Sequence, residues 1–146
     1  MKRTTIALAT VAALFASTAA FTLQDRWVQQ VRNQLRAAAQ AYEREGYEMT
    51  HRIYTGQLDD GESERVALTL DVGREYQIIG ACDNDCTDLD MVLFDGRGRE
   101  LDSDLLEDDV PIVATGVSRS GQFTVEVRMA NCNVEPCRYG IGAFGR

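Results

Sequence analysis

Asp88-Leu89-Asp90-Met91-Val92-Leu93-Phe94-Asp95-Gly96 is the stretch that decides the fold. Leu89, Met91 and Leu93 alternate with Asp90, Val92 and Phe94, the period of an extended strand with one apolar face. Asp95-Gly96 follows as a turn signal, and Gly98 closes it. The same period of two recurs on both sides. Upstream, Tyr47, Met49, His51 and Ile53 share one face of a first strand. Val66, Leu68 and Leu70 share one face of the next, Val72-Gly73 marks a turn, and Tyr76 and Ile78 alternate towards Gly80 and Cys82. Downstream, Ile112 to Thr115 makes a short strand after Pro111. Ser120-Gly121 turns into Phe123, Val125, Val127 and Met129, and Tyr139, Ile141 and Ala143 make the last strand. This gives about seven closely spaced strands with no helix between them. Such spacing predicts a mainly β domain over residues 47–146, an antiparallel β-sandwich of jelly-roll or Ig-like kind.

Before Gly46 the period is helical. Val28, Val31, Leu35, Ala38 and Tyr42 fall on one stripe, Thr22 with Asp25 resembles a capping box, and Gly46 suits a C-cap. The spacing predicts one amphipathic helix over residues 21–46. Its stripe either packs on the protein's own sheet or serves as a docking or self-association surface.

Residues 1–20 read as a secretory signal peptide. Lys2 and Arg3 precede an apolar run from Ile6 to Phe15, and small residues from Ala16 to Ala20 follow. Cleavage after Ala19 or Ala20 fits the small-x-small rule. The run is too short for a membrane anchor, which needs roughly 20 apolar residues. A periplasmic or secreted location follows, with no transmembrane segment.

The full chain of 146 residues has 15 Lys+Arg against 23 Asp+Glu, a net charge of -8. Lys2 and Arg3 leave with the leader, so 13 bases face 23 acids and the balance becomes -10. This excludes nucleic-acid binding by general charge attraction. Eleven acids lie between Asp83 and Asp109, offset only by Arg97 and Arg99. One reading is a solvated face with aspartates serving as turn formers. The other is a calcium site at Asp83, Asp85, Asp88 and Asp90, since Ca²⁺ takes six to eight oxygens from closely spaced carboxylates and carbonyls.

Cys82 and Cys86 have the spacing C-x3-C, and Cys132 and Cys137 the spacing C-x4-C. In an exported chain the default is two disulfides, here expected as Cys82–Cys86 and Cys132–Cys137. Apolar alternation on both sides of each pair suggests that each faces itself across the mouth of a hairpin. No C-x2-C is present to suggest zinc.

Several phrases together resemble the bacterial pre-peptidase C-terminal (PPC) domain family, small β-sandwiches appended to secreted peptidases. They are Tyr76-Gln77-Ile78, the Asp88–Asp95 strand with Gly98, Ser120-Gly121-Gln122-Phe123-Thr124-Val125-Glu126-Val127, and Tyr139-Gly140-Ile141. The resemblance covers roughly residues 55–146. It implies an accessory role, in secretion or in binding substrate or matrix, with no chemistry of the domain's own; some relatives bind calcium. The sequence departs from that setting. It holds no peptidase domain, adds a helix in front, and carries two cysteine pairs that the family pattern lacks.

Catalytic signals are sparse. His51 is the one histidine, no G-x-S-x-G is present, and no phosphate-binding glycine motif occurs. His51 alternates with Tyr47, Met49 and Ile53, as a partly buried strand residue would. The expectation is an exported, non-catalytic binding or accessory module for a protein, peptide or glycan ligand in the envelope or outside the cell. The rivals are a structural protein docking through its helix and a small hydrolase using His51.

Overall fold

The alternation of the central strands is satisfied by two antiparallel sheets that share one apolar core. A computed structural model describes the fold of residues 12–146, with side-chain surroundings from Arg26 onward. The leader expected at residues 1–20 lies outside the described residues as far as residue 11. The helix α1 spans Ala12–Glu43, and the strands are β1 (Glu48–Met49), β2 (Tyr54–Leu58), β3 (Ser63–Leu70), β4 (Glu75–Cys82), β5 (Cys86–Phe94), β6 (Glu100–Asp104), β7 (Ile112–Gly116), β8 (Gly121–Cys132) and β9 (Cys137–Gly145). One sheet has the order β1-β9-β4-β7, with β2 also on β9. The other has the order β3-β8-β5-β6.

The described residues form nine strands rather than about seven. The expected first strand through Tyr47, Met49, His51 and Ile53 is broken. Met49 pairs with Phe144 and Tyr54 with Ile141, so residues 50–53 face only Gly142 and Ala143. The surplus bulges out, and His51 lies within it. β6 also escaped the sequence reading, because Glu100-Leu101-Asp102-Ser103-Asp104 has only one apolar residue.

Thr22 lies inside α1 rather than at its N-cap, because the alanine-rich stretch before it continues the helix. The other end of the helix is as expected. Gly46 takes φ 85°, open to glycine at little cost. Tyr47 N–H donates to Tyr42 O at 3.0 Å and Gly46 N–H to Glu43 O at 3.1 Å, the two bonds of a Schellman cap. The accompanying apolar contact is Tyr42 edge-on to Tyr47, with ring centroids 5.5 Å apart.

The helical stripe covers the protein's own sheet. Val31 and Leu35 are fully buried against Ile79, Ala81 and Phe144, with Ala38 and Tyr42 beside them. β4 and β9 are therefore apolar on both faces: Tyr76, Ile78, Tyr139, Ile141 and Ala143 face the core between the sheets. Glycine lets the helix come close. A Cβ on Gly140 would lie 2.7 Å from Val31 Cγ1 and 3.0 Å from Tyr54 O.

Carboxylates close both open sides of the two sheets. On one side, Tyr54 and Tyr139 hydroxyls donate to the two oxygens of Glu64, each at 2.6 Å. Burial, with that carboxylate, holds the Tyr139 hydroxyl protonated far above the ordinary phenol range. On the other side, the β7 amides of Ile112 and Ala114 donate to Asp104 at 2.9 Å and Asp102 at 2.7 Å. These bonds occupy edge groups that would otherwise invite another strand.

Both disulfides form with the expected pairing, Cys82–Cys86 and Cys132–Cys137, each with Cα atoms 5.9 Å apart. Their setting is different. β4 and β5 belong to different sheets, as do β8 and β9. Each bridge spans a crossing between sheets, not the mouth of a hairpin; among the described residues only β5–β6 is a hairpin between consecutive strands of one sheet. The turn expected at Asp95-Gly96 makes that hairpin, with Gly98 N–H donating to Asp95 O.

Gly140→Ala should overpack the helix–sheet contact and cost about 1–3 kcal/mol. Gly61→Ala, with open space around it but φ 76°, should cost only about 1 kcal/mol of backbone strain. Denaturant titration of both variants checks the order; equal losses would mean that the helix does not press on Gly140.

Candidate functional site

The acidic run of the sequence folds into a difference between the two ends of the sheets. Four loops meet at the disulfide end: 59–62, 83–85, 105–111 and 133–136. Asp60 N–H donates to Glu135, Asn133 N–H donates to Asp85 O, and Asp109 O lies 3.8 Å from Cys82 Sγ. The loops carry Asp59, Asp60 and Glu62; Asp83 and Asp85; Glu107, Asp108 and Asp109; and Glu135, with no basic residue among them. The opposite end presents Arg74, Arg97, Arg99 and Arg119 against Asp71 and Asp95 in its loops. A cavity of about 360 Å³ there is lined by Arg97, Arg99, Arg119 and Ser118.

Many of the acids have structural partners. Asp60 accepts from Cys132 N–H at 2.8 Å, and Asp95 accepts from the N–H groups of Arg97 and Arg99, both at 2.9 Å. Those bonds and the Arg99 guanidinium hold the Asp95 carboxyl below its ordinary range. Asp83 is only 1% exposed. Its two oxygens accept from Asp85 N–H at 3.2 Å and Arg138 N–H at 2.8 Å, fixing the crossing at Cys82–Cys86. Burial nonetheless pushes its pKa up.

The four aspartates expected to share a calcium ion divide into two groups. Asp83 has Asp85 as its carboxylate neighbour, and both its oxygens are engaged. Asp88 and Asp90 come together, as alternation on one face requires, but with Glu107 and Asp108 near Asp88 and Arg128 3.8 Å from Asp90. The separation arises at a bulge: Leu89 N–H donates to Asp108 O, and the β5–β8 register shifts at Asp88. Among the described residues no group of three or more His, Cys, Asp or Glu side chains is disposed to hold a metal. Desolvation first, and then the like charges of Asp90, Glu107 and Asp108, raise the Asp88 pKa; desolvation raises that of Asp90.

His51 has a partner on each ring nitrogen. Nδ1 lies 2.8 Å from Thr50 Oγ1, and Nε2 lies 2.9 Å from the carbonyl of Thr69. A carbonyl only accepts, so Nε2 carries the proton. The ring ties the bulge at residues 50–53 to the end of β3.

Loop 105–111 adds an apolar feature that lies outside the strand periodicity. Leu105 is 63% exposed and Leu106 69%, with Val110 and Ile112 beside them in sequence and Val134 exposed on a neighbouring loop. The loop is pinned: Asp108 O accepts from Leu89 N–H at 2.9 Å, and Pro111 O accepts from Gly80 N–H at 2.8 Å. Pro111 is itself buried, against Gly80. The sequence signal was two adjacent leucines between Asp104 and Glu107, outside any alternation.

No family model matches the chain, and neither does any curated protein. The two disulfides fit an oxidising compartment. No helix among the described residues is long and apolar enough to cross a membrane.

The pH dependence has a definite sign. Asp83, Asp88 and Asp90 bind protons more tightly folded than unfolded, since each is raised from 3.8. Their contribution is fully present below the unfolded value and is lost as pH rises through the folded values. The melting temperature should therefore rise on acidification from pH 7 to about pH 4.5. Asp88→Asn should raise it at pH 7 and flatten the profile. A steady fall across that window in the parent protein would contradict the assignment.

Proposed function

We propose that this chain is an exported, non-catalytic binding module whose disulfide end engages a ligand in the envelope or outside the cell. The observation that carries the proposal is the pinned loop bearing Leu105 and Leu106. Monomeric surfaces scatter their apolar residues, whereas clustered ones mark interaction sites. Here the cluster sits on a frame stapled at both adjacent crossings, so little order remains to be lost on binding.

The same reading favours export through a cleaved leader, which would leave Thr22 near the new N-terminus and free to cap α1. It is in keeping with the accessory role implied by the PPC resemblance and with a jelly-roll or Ig-like sandwich. A helix-docking role is disfavoured, because the apolar stripe of α1 is already spent on β4 and β9. A hydrolase is disfavoured, because Nε2 of His51 is held by the Thr69 carbonyl and Nδ1 lies against the adjacent Thr50 hydroxyl, with no carboxylate among its partners to orient the ring.

Capture experiments from an envelope extract test this. The parent protein should retain a partner that Leu105→Ser/Leu106→Ser loses, at unchanged melting temperature, because both side chains are exposed. Equal capture by the two would move the binding surface elsewhere. A hydrolytic activity abolished by His51→Ala in a folded protein would replace binding by catalysis.

A further inference from the structure

We infer that the disulfide end docks a cationic amphipathic polypeptide segment, one that presents lysine or arginine beside apolar side chains. The inference rests on the binding-module reading and names the chemistry of its ligand. Two independent features meet at this end. The first is charge: four converging loops hold carboxylates and no base. The guanidinium of Arg138, which follows these loops on β9, is engaged by its own chain, with Nη1 donating to Pro136 O at 2.6 Å, and that of Arg128 lies 3.8 Å from Asp90. The second is the pair of leucines flanked by Asp104 and Glu107.

Each feature excludes partners that the other alone would admit. Carboxylates repel anionic lipid surfaces, nucleic acids and acidic glycans, although the leucines could insert into a membrane. Leucines at this exposure gain nothing from a hydrophilic polycation, although the carboxylates would attract one. A segment with cations placed to either side of an apolar stripe satisfies both. The carboxylates of Glu107 and Asp109 lie on the same loop as the leucines, and neither side chain has a hydrogen-bond or salt-bridge partner among the described residues. Asp88, at the base of the same loop, has a buried oxygen without a partner and like charges around it, so an approaching cation would relieve repulsion there.

Three synthetic helical peptides of equal length test the inference against the full chain: lysine with leucine, lysine with serine, and glutamine with leucine. Titration should show the lysine–leucine peptide binding at least about tenfold tighter than either other peptide, with affinity falling as salt screens the exposed charges. Leu105→Ser/Leu106→Ser should remove the advantage over the lysine–serine peptide. Glu107→Gln/Asp109→Asn should remove the advantage over the glutamine–leucine peptide. Lysine–serine binding as tight as lysine–leucine would reduce the site to general charge attraction and overturn the inference. Glutamine–leucine binding as tight would overturn the cationic requirement while leaving the binding-module reading in place. Full affinity in both double variants would place the peptide elsewhere and overturn both. Leucine-dependent self-association in light scattering, or binding to neutral phosphatidylcholine vesicles, would assign the surface to a second copy or to lipid and overturn the inference likewise.

Discussion

Neither face of β4 or β9 can meet water, and the rest of the molecule follows from that constraint. One face of each strand supplies Tyr76, Ile78, Tyr139 and Ile141 to the core between the sheets. The other supplies Ile79, Ala81 and Phe144, which α1 covers together with Tyr47, Met49 and Ile53. Burying apolar area contributes about 25 cal/mol per Å², so an uncovered sheet face would be costly in a domain of this size. The helix is therefore a layer of the core, and Gly140 is the position at which its side chains reach the sheet. The disulfides act on the same strands. Cys82 ends β4 and Cys137 begins β9, and their partners, Cys86 and Cys132, sit opposite each other on β5 and β8. The two inner strands of one sheet are thus stapled to two neighbouring strands of the other.

An acidic composition in such a frame serves two purposes, which the structure separates. Glu64, Asp102 and Asp104 close the open sides between the sheets, and Asp60, Asp83 and Asp95 hold turns. Carboxylates suit these places because each offers several lone pairs to N–H and O–H donors that have no strand partner. Others, among them Asp59, Asp85, Glu107 and Asp109, lie at the stapled end with Leu105 and Leu106. Rigidity, negative charge and exposed apolar surface coincide there, and that coincidence gives the proposed binding its location.

How much was legible in the sequence depended on what each strand faces. β3, β5 and β8 alternate cleanly because one face meets water and the other the core, and their apolar positions were read correctly. β9 was read on one face only, because Gly140 and Gly142 hide the other: Val31 and Leu35 of the helix fill it at Gly140, and the Phe144 ring lies over Gly142. β6 was missed because an edge strand can be polar when its aspartates bond to the neighbouring edge. The strand through His51 was overextended because alternation does not register a bulge. Disulfide pairing was legible from spacing, but its setting was not, since hairpins and sheet crossings both bring short-spaced cysteines together. The acids were legible as a run along the chain. Their division into caps, edge locks and an acidic end required the topology, which also brings the two leucines to that end.

Two short disulfides each tie one sheet to the other, and a non-reducing tryptic map is the sharpest check of that arrangement. Cleavage after Arg74 and Arg97 places Cys82 and Cys86 on one peptide, and cleavage after Arg128 and Arg138 places Cys132 and Cys137 on another. Two separate peptides are expected, each lighter by the two hydrogens of an internal disulfide. A single covalently joined pair of these peptides, as a Cys86–Cys132 bridge within one sheet would give, would contradict that arrangement.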